Sequence, residues 1–432
     1  MRITLKRPIS LEGEIILPGD KSISHRAAIL NSLANGDPAH ISNFCEGDDK
    51  TSIIRCLRGI GVKITQHIGC EFSKESECLL IHSSEFHEPK NILDAGNSGT
   101  TMRLMAGLLA AQPFFSIISG DLSLRSRPMN RVITPLIQMG AKVIGRESNS
   151  LAPLSINGGN IKGINYTMPV ASAQVKSAII LASLYAEGKT IITEPSQSRD
   201  HTERMASFMG ADIQVHKSSI IITPSQLKTS NINIPGDISS ASTWIIAACC
   251  HPNARLKIKN VGLNPSRTGS IDILKRMGAN LIIENNRIEN GEPVGDIIAE
   301  SSNLVGTEIS GDIIPKMIDE IPNIAVAACF SKGKTYIKDA AELRFKESDR
   351  IESMFQGLSS LGAKITHEVD GLTITGTSKL NGGYCNSYGD HRIAMAMGVA
   401  GILSNSETTI GSSEAVEISY PNFWETLKSI QR

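Results

Sequence analysis

Cations in this chain gather where loops run into helices. The stretch "DKSISHR" sets Lys21 and Arg26 around Ser22 and Ser24, and "GNSGTTMR" sets Asn97, Gly99 and Thr100 ahead of Arg103. "SLRSRPMNR" supplies Arg125, Arg127 and Arg131, and "SAQVKS" supplies Ser172, Gln174 and Lys176, with Arg199 following in "SRDHTER". Further along come Lys316, Asp319 and Glu320, then Lys346, Glu347, Asp349 and Arg350 in "FKESDR", then Asp390, His391 and Arg392 in "GDHR". Guanidinium and ammonium groups interleaved with hydroxyls and amides are the chemistry of phosphate and carboxylate recognition. Gly99 would let such a ligand approach the backbone closely. Each cluster alone reads as a solvated face or as a first helical turn with favourable acids. Their recurrence at equivalent points of a repeated unit points instead to one small polyanion carrying phosphate and carboxylate groups. The acids among them, Asp319, Glu347 and Asp390, suit proton transfer, because neighbouring charge and burial tune a carboxylate. His25 reads as a structural group.

The whole chain carries no matching bulk charge: Lys and Arg total 43, Asp and Glu 43, over 432 residues. That balance argues against nucleic acid and against an anionic membrane surface as partners. No apolar run is long enough to span a bilayer, and the N-terminus lacks a secretory pattern. There is no Walker loop, no G-x-G-x-x-G after a strand, no H-E-x-x-H and no Cys or His pair at metal-ligand spacing. The expectation is an enzyme of the reducing cytoplasm, with eight free thiols and no metal or cofactor.

Two phrases repeat along the chain and must position those residues. "GIGVKI", "QMGAKVI", "FMGADI", "RMGANLI" and "SLGAKI" each follow an amphipathic stretch and lead into a β-branched run, which reads as helix, glycine stop, strand. Between them, small or charged loops open apolar helices near residues 18, 94, 169, 235, 311 and 388. Helices apolar on nearly every face are buried ones. Six N-termini gathered on one surface would favour anions, although side-chain capping would also account for their composition. The chain is thus six copies of one α/β unit; a solenoid is the alternative arrangement. "PGDKSISHR" at copy one and "PGDISSAS" at copy four divide the copies into two sets of three. The expected domains are 1–17 plus 236–432, and 18–235, with the two "PGD" stretches as crossing points.

Taken in order, "PGDKSISHR", "GNSGTTMR", "RPM", "SAQVKSA", "FKESDR" and "GDHRIAMA" resemble the 5-enolpyruvylshikimate-3-phosphate synthase family of the shikimate pathway, over essentially the whole chain. The resemblance implies a two-domain inside-out α/β barrel (prism), each domain three βαβαββ repeats, with the active site in the interdomain cleft. It also implies the reaction. Phosphoenolpyruvate gives its enolpyruvyl group to the 5-hydroxyl of shikimate 3-phosphate by addition and elimination, releasing phosphate on the way to chorismate and the aromatic amino acids. By motif, Lys21, Ser22, Arg26, Ser172, Gln174, Arg199, Asp319 and Lys346 would hold shikimate 3-phosphate. Lys21, Gly99, Arg127, Gln174, Arg350 and Arg392 would hold phosphoenolpyruvate, supported by Asn97, Thr100, Asp390 and His391. Asp319 would be the base for the 5-hydroxyl, and Glu347 or Lys21 the acid at the methylene carbon. The family's usual state is a monomer.

Two positions depart from many bacterial and plant members: Leu104 stands in place of a Pro, and Ile418 in place of a substrate-contacting Lys. Both resemble the glyphosate-tolerant branch. Yet Gly99 is kept where some tolerant members carry Ala, which implies intermediate or full sensitivity to glyphosate. UDP-N-acetylglucosamine enolpyruvyltransferase shares the repeats, but its reactive Cys has no counterpart in "GDLSLRSRP". RNA 3′-phosphate cyclase has related repeats and would need nucleotide chemistry. A silent anion-binding repeat protein is the remaining alternative, and retention of Asp319, Glu347 and the arginines argues against it.

Overall fold

The structure, a computed structural model, describes residues 1–83 and 85–432, the side chains of 73–76 excepted. It divides into two units. One, the inserted unit, comprises Gly19–Ile234 together with Ile288–Glu292; the other, the flanking unit, comprises Met1–Pro18, Pro235–Arg287 and Pro293–Arg432.

The inserted unit is centred on three helices, α1 (Lys21–Leu33), α2 (Gly99–Ala110) and α3 (Ala173–Ser183). Their Ala, Ile, Leu and Met side chains form one continuous hydrophobic cluster with the sheets around them. The flanking unit is built the same way on α4 (Ile238–Cys250), α5 (Ile321–Phe330) and α6 (His391–Leu403), with a separate cluster of its own. Small residues let these helices approach closely. A Cβ added at Gly107 of α2 would lie 2.6 Å from Ala178 Cα of α3, so a larger residue would force the helices apart. Four of these helices keep one residue partly exposed: in α4 and α5 it is the last, Cys250 and Phe330, but in α2 and α6 it is an arginine near the start, Arg103 and Arg392.

Each repeat supplies a four-stranded sheet or its equivalent. In the third, Asn165–Thr167 and Thr190–Thr193 pair in parallel, and Asp212–His216 and Ser219–Thr223 complete the sheet antiparallel. The same pattern recurs, and the ends of the chain close it. Strand Leu11–Ile16 pairs in parallel with Ala254–Gly262, Arg2–Leu5 pairs with Thr408–Gly411, and Ile232–Asn233 pairs in parallel with Ala39–Ser42.

The five glycine stops behave alike. Gly140 adopts φ +106° and Gly278 φ +90°, a region open to glycine at little steric cost, and Gly61, Gly210 and Gly362 share it. At each, the next residue's N–H reaches back into the last turn, as Ala141 does to Leu136 and Ala279 to Leu274. The outer helix ends there, and a strand begins within four residues.

Two expectations need correction. Residues 288–292 cluster with the inserted unit rather than with 236–432. Buried Glu292 accepts from or pairs with His201 Nδ1 at 2.8 Å, and Glu289 takes the Asn233 amide at 2.7 Å. Cys70 and Cys78 are disulfide-bonded, because strands Ile64–Cys70 and Ser73–Ile81 form a hairpin that brings their Cα atoms to 6.5 Å. The other six thiols are free, and burial pushes Cys56, Cys249, Cys329 and Cys385 up to about 12, which makes them inert. In the fifth repeat the loop that opens near 311 runs longer before its apolar helix: a 3₁₀ turn, the short helix Ile314–Met317 and a break precede α5. Among the described residues no helix is long and apolar enough to cross a membrane.

Candidate active site

The N-termini of the buried helices are capped mostly from within. Asp20 accepts from Ile23 N, Ser98 from Thr101 N, Asp237 from Ser239 N and Asp390 from Arg392 N, at 2.8–3.3 Å. Ordinary capping therefore accounts for the small polar residues at four of the six starts. Ser172 occupies the cap position of α3 without a side-chain capping bond. What capping leaves over is the cations.

In the inserted unit they form two linked groups. The first surrounds Gly99. Arg127 donates to Asn97 Oδ1 at 2.6 Å, and Asn97 in turn donates to Asp121. Arg103 donates to Gln174 Oε1 at 2.6 Å, and Gln174 donates to Thr100 Oγ1 at 2.9 Å. A Cβ at residue 99 would lie 2.8 Å from Arg103 Nη1 and 3.6 Å from Arg127 Nη1, so the glycine keeps both guanidiniums close to the backbone. The second group is built on α1. Arg26 is 3% exposed; it donates through Nε to Thr202 Oγ1 at 2.6 Å, through Nη2 to Ser177 Oγ at 2.6 Å and through Nη1 to the Ser22 carbonyl at 2.8 Å. Its contacts are hydroxyls and a carbonyl, with no carboxylate at ion-pair distance among the described residues. Burial lowers its pKa to about 10, Glu203 and Asp20 oppose the fall, and nearby Arg199 adds to it. It remains a cation at neutral pH, held by neutral groups.

Lys21 stands between these groups, 3.2 Å from Asp49. Burial disfavours the Asp49 carboxylate, but Lys21 and a hydrogen bond from Ser98 outweigh burial and hold it below its ordinary range. His25 is fully buried. Its Nδ1 faces the Lys21 carbonyl at 2.8 Å, so that nitrogen carries the proton, and Nε2 lies 3.0 Å from Thr101 Oγ1. Burial pushes the imidazole down to about 4 and keeps it neutral.

The flanking unit gathers acids around one arginine. Arg350, 1% exposed, reaches Glu347 at 2.5 Å, Asp390 at 2.8 Å and Asp319 at 3.3 Å. These carboxylates raise its pKa against the cost of burial, and Arg350 likewise holds buried Asp390 below the usual carboxylate range. Asp319 also faces Lys346 at 3.8 Å and Arg392 at 3.9 Å. It sits in the break between Ile314–Met317 and α5, where the interrupted helix turns its side chain towards α6 and the "FKESDR" turn.

In the inserted unit the structure joins Arg127 to Asn97, Arg103 to Gln174 and Thr100, and Arg26 to the Ser22 carbonyl; in the flanking unit it gathers Asp319, Lys346, Glu347, Arg350, Asp390 and Arg392. It adds partners that the sequence did not single out: Asp49, and Ser177 and Thr202 from within "SAQVKSA" and "SRDHTER". Asp49 lies in "GDDK", an acidic first turn that reads as ordinary helix stabilisation, and only the fold sets it against Lys21. Arg125 turns back to the Asp121 carbonyl at 3.4 Å.

Buried-helix repeats carrying anion-recognising cations in one unit and acids paired with cations in the other define an enzyme that moves a group between small anions. The chain matches the family profile of EPSP synthase (3-phosphoshikimate 1-carboxyvinyltransferase) over residues 5–427. It is 49% identical to the 3-phosphoshikimate 1-carboxyvinyltransferase of Desulforudis audaxviator over 435 residues, covering 100% of this chain and 99% of that one. It is also 49% identical to that of Chloroflexus aggregans over 437 residues, covering 99% of each. The solved EPSP synthase of Acinetobacter baumannii superposes with a TM-score of 0.87 at 40% identity, over 99% of this chain and 97% of that one. The chain belongs to the EPSP synthase family. It transfers the enolpyruvyl group of phosphoenolpyruvate to shikimate 3-phosphate, a step of the shikimate pathway.

Proposed function

We propose that the two networks serve the same reaction, that of the inserted unit chiefly in binding the two substrates and that of the flanking unit chiefly in proton transfer. The observation that carries this reading is Arg26, a buried guanidinium with neutral partners and N–H groups to spare, which is the surrounding an incoming anion would complete. In this reading Lys21, Ser22, Arg26, Ser172, Gln174 and Arg199 hold shikimate 3-phosphate, with Lys346 and Asp319 at its reacting hydroxyl. Lys21, Gly99, Gln174, Arg127 and Arg392 meet phosphoenolpyruvate. Arg350 contributes chiefly its charge there, since its donors already serve Asp319, Glu347 and Asp390.

Asp319 takes the proton of the 5-hydroxyl as its oxygen bonds to C2 of phosphoenolpyruvate. Glu347, or Lys21, delivers a proton to C3, giving a tetrahedral adduct. Loss of a C3 proton and cleavage of the C2–O bond to phosphate then yield the enol ether and inorganic phosphate. An enol carbon becomes electrophilic only as it is protonated, and surrounding cations offset the charge of two anionic substrates. The protein works as a monomer in the cytoplasm, without nucleic acid. Phosphate release on mixing both substrates tests the assignment: Asp319→Ala with Glu347→Ala should lower the rate at least 10²–10⁴-fold. Full release from that folded double variant would overturn the roles given to both acids.

A further inference from the structure

Lys176 belongs by sequence to the cations of the third repeat, yet the fold removes it from any ligand. It is 1% exposed, with Nζ 2.8 Å from Glu203 Oε1 and 3.1 Å from Glu194 Oε1. It also donates to the Ser198 carbonyl at 3.4 Å. Glu194 in turn takes the Ser198 hydroxyl at 2.7 Å and its N–H at 3.3 Å. One ammonium thereby ties α3 to the segment 194–203.

The residue after Lys176 is Ser177, and the residue before Glu203 is Thr202. These are the two hydroxyls that hold Arg26, each at 2.6 Å, and they lie 2.6 Å from one another. The residue after Ser198 is Arg199, whose charge is felt at Arg26. Lys176 itself and two of the residues it grips, Ser198 and Glu203, are thus each next in sequence to a group that acts on Arg26. Charge balance points the same way. Two buried carboxylates meet one ammonium, and Glu203 is the strongest favourable charge on Arg26. Burial raises Glu203, whose Oε2 is buried without a hydrogen bond among the described residues.

We infer that Lys176 is a positioning residue for Arg26: with Glu194 and Glu203 it sets Ser177 and Thr202 at the spacing that holds one edge of the guanidinium and leaves its remaining N–H groups to the substrate anion. The inference rests on the reading that Arg26 holds shikimate 3-phosphate. Without Lys176 two buried carboxylates lose their partner, the 194–203 segment moves, and Arg26 loses both hydroxyls at once.

Steady-state kinetics on Lys176→Met, Arg26→Gln and their combination test it. Lys176→Met should raise KM for shikimate 3-phosphate at least tenfold and KM for phosphoenolpyruvate less than twofold. In the Arg26→Gln background the same change should add less than twofold, because its route to the substrate is already gone. Lys176→Met with Glu203→Gln, which restores the local charge balance, should recover much of the affinity. Should Lys176→Met fail to fold, Glu203→Gln alone takes its place in the cycle with the same expected split. An unchanged KM for shikimate 3-phosphate, an equal rise in both KM values, or effects that multiply in the Arg26→Gln background would each overturn the inference. If Arg26→Gln itself leaves that KM unchanged while Lys176→Met raises it, the reading of Arg26 fails and the positioning role falls with it.

Discussion

Arg26 and Arg350 are both buried arginines, and their surroundings are opposite. Arg26 is held by two hydroxyls and a carbonyl, and burial lowers its pKa; Arg350 is held by three carboxylates, which raise its pKa. A buried cation with neutral partners carries an unmet demand for an anion, whereas one ringed by carboxylates is part of the framework. The doubled "PGD" phrase shows the same contrast. Asp20 and Asp237 cap their helices alike, but α1 follows with Lys21 and Arg26 and α4 with buried Ile238. Beside α4 the nearby cation, Arg267, is already met by Glu320 and Ser239. One repeat keeps its charge for a ligand, and its counterpart consumes it internally.

The largest difference expected between the two arginines is in stability. Arg350→Met takes the arginine away from buried Asp390 and weakens the ion pairing of Glu347 and Asp319, and should cost about 3–5 kcal/mol in urea unfolding. Arg26→Met breaks no ion pair among the described residues and should leave stability within about 1 kcal/mol, while raising KM for shikimate 3-phosphate roughly ten- to hundredfold, the worth of a charge-assisted hydrogen bond. Equal destabilisation by the two variants would erase the distinction.

His25 sharpens the comparison from within α1. Its folded pKa of about 4 lies below the ordinary 6.5, so the unfolded chain binds the proton more readily. The stability it contributes is complete above pH 6.5 and is lost as pH falls towards 4. Wild type should therefore lose about 2 kcal/mol between pH 7 and pH 5 through this group, and His25→Gln should be flatter by that amount. Parallel pH profiles in urea would show that α1 is not the dry, cation-lined helix described.

The smallest effect belongs to Gly99→Ala. The added methyl would press on the ends of two flexible side chains, Arg103 and Arg127, which can give way. KM for phosphoenolpyruvate should rise roughly two- to fivefold, below about 1 kcal/mol, and glyphosate should inhibit more weakly. An unchanged glyphosate inhibition constant would remove the steric part of that argument.

Much of this was legible in order of residues alone. The repeats, the buried character of their second helices and the glycine stops are local periodicities, written wherever a segment must bury all its faces or end in a left-handed turn. The cations at helix starts could be located in the same way, and "FKESDR" and "GDHR" marked the turns that meet around Arg350. Whether a given cation is available could not be read so. Arg26 and Lys176 look equivalent as sequence, both near the start of a buried helix and among small polar residues. Their difference lies in partners brought from elsewhere: Thr202 is 176 positions from Arg26, and Glu194 is 18 from Lys176. The Cys70–Cys78 bridge and the Lys21–Asp49 pair depend likewise on a hairpin and on a packing of helices. The sequence by itself therefore determined the repeated architecture, the family and the stock of charges, because these follow from composition and spacing along the chain. Only the tertiary structure decided which charges are already neutralised, because the energy of a buried charge is set by groups within a few ångströms in space, whatever their distance in sequence.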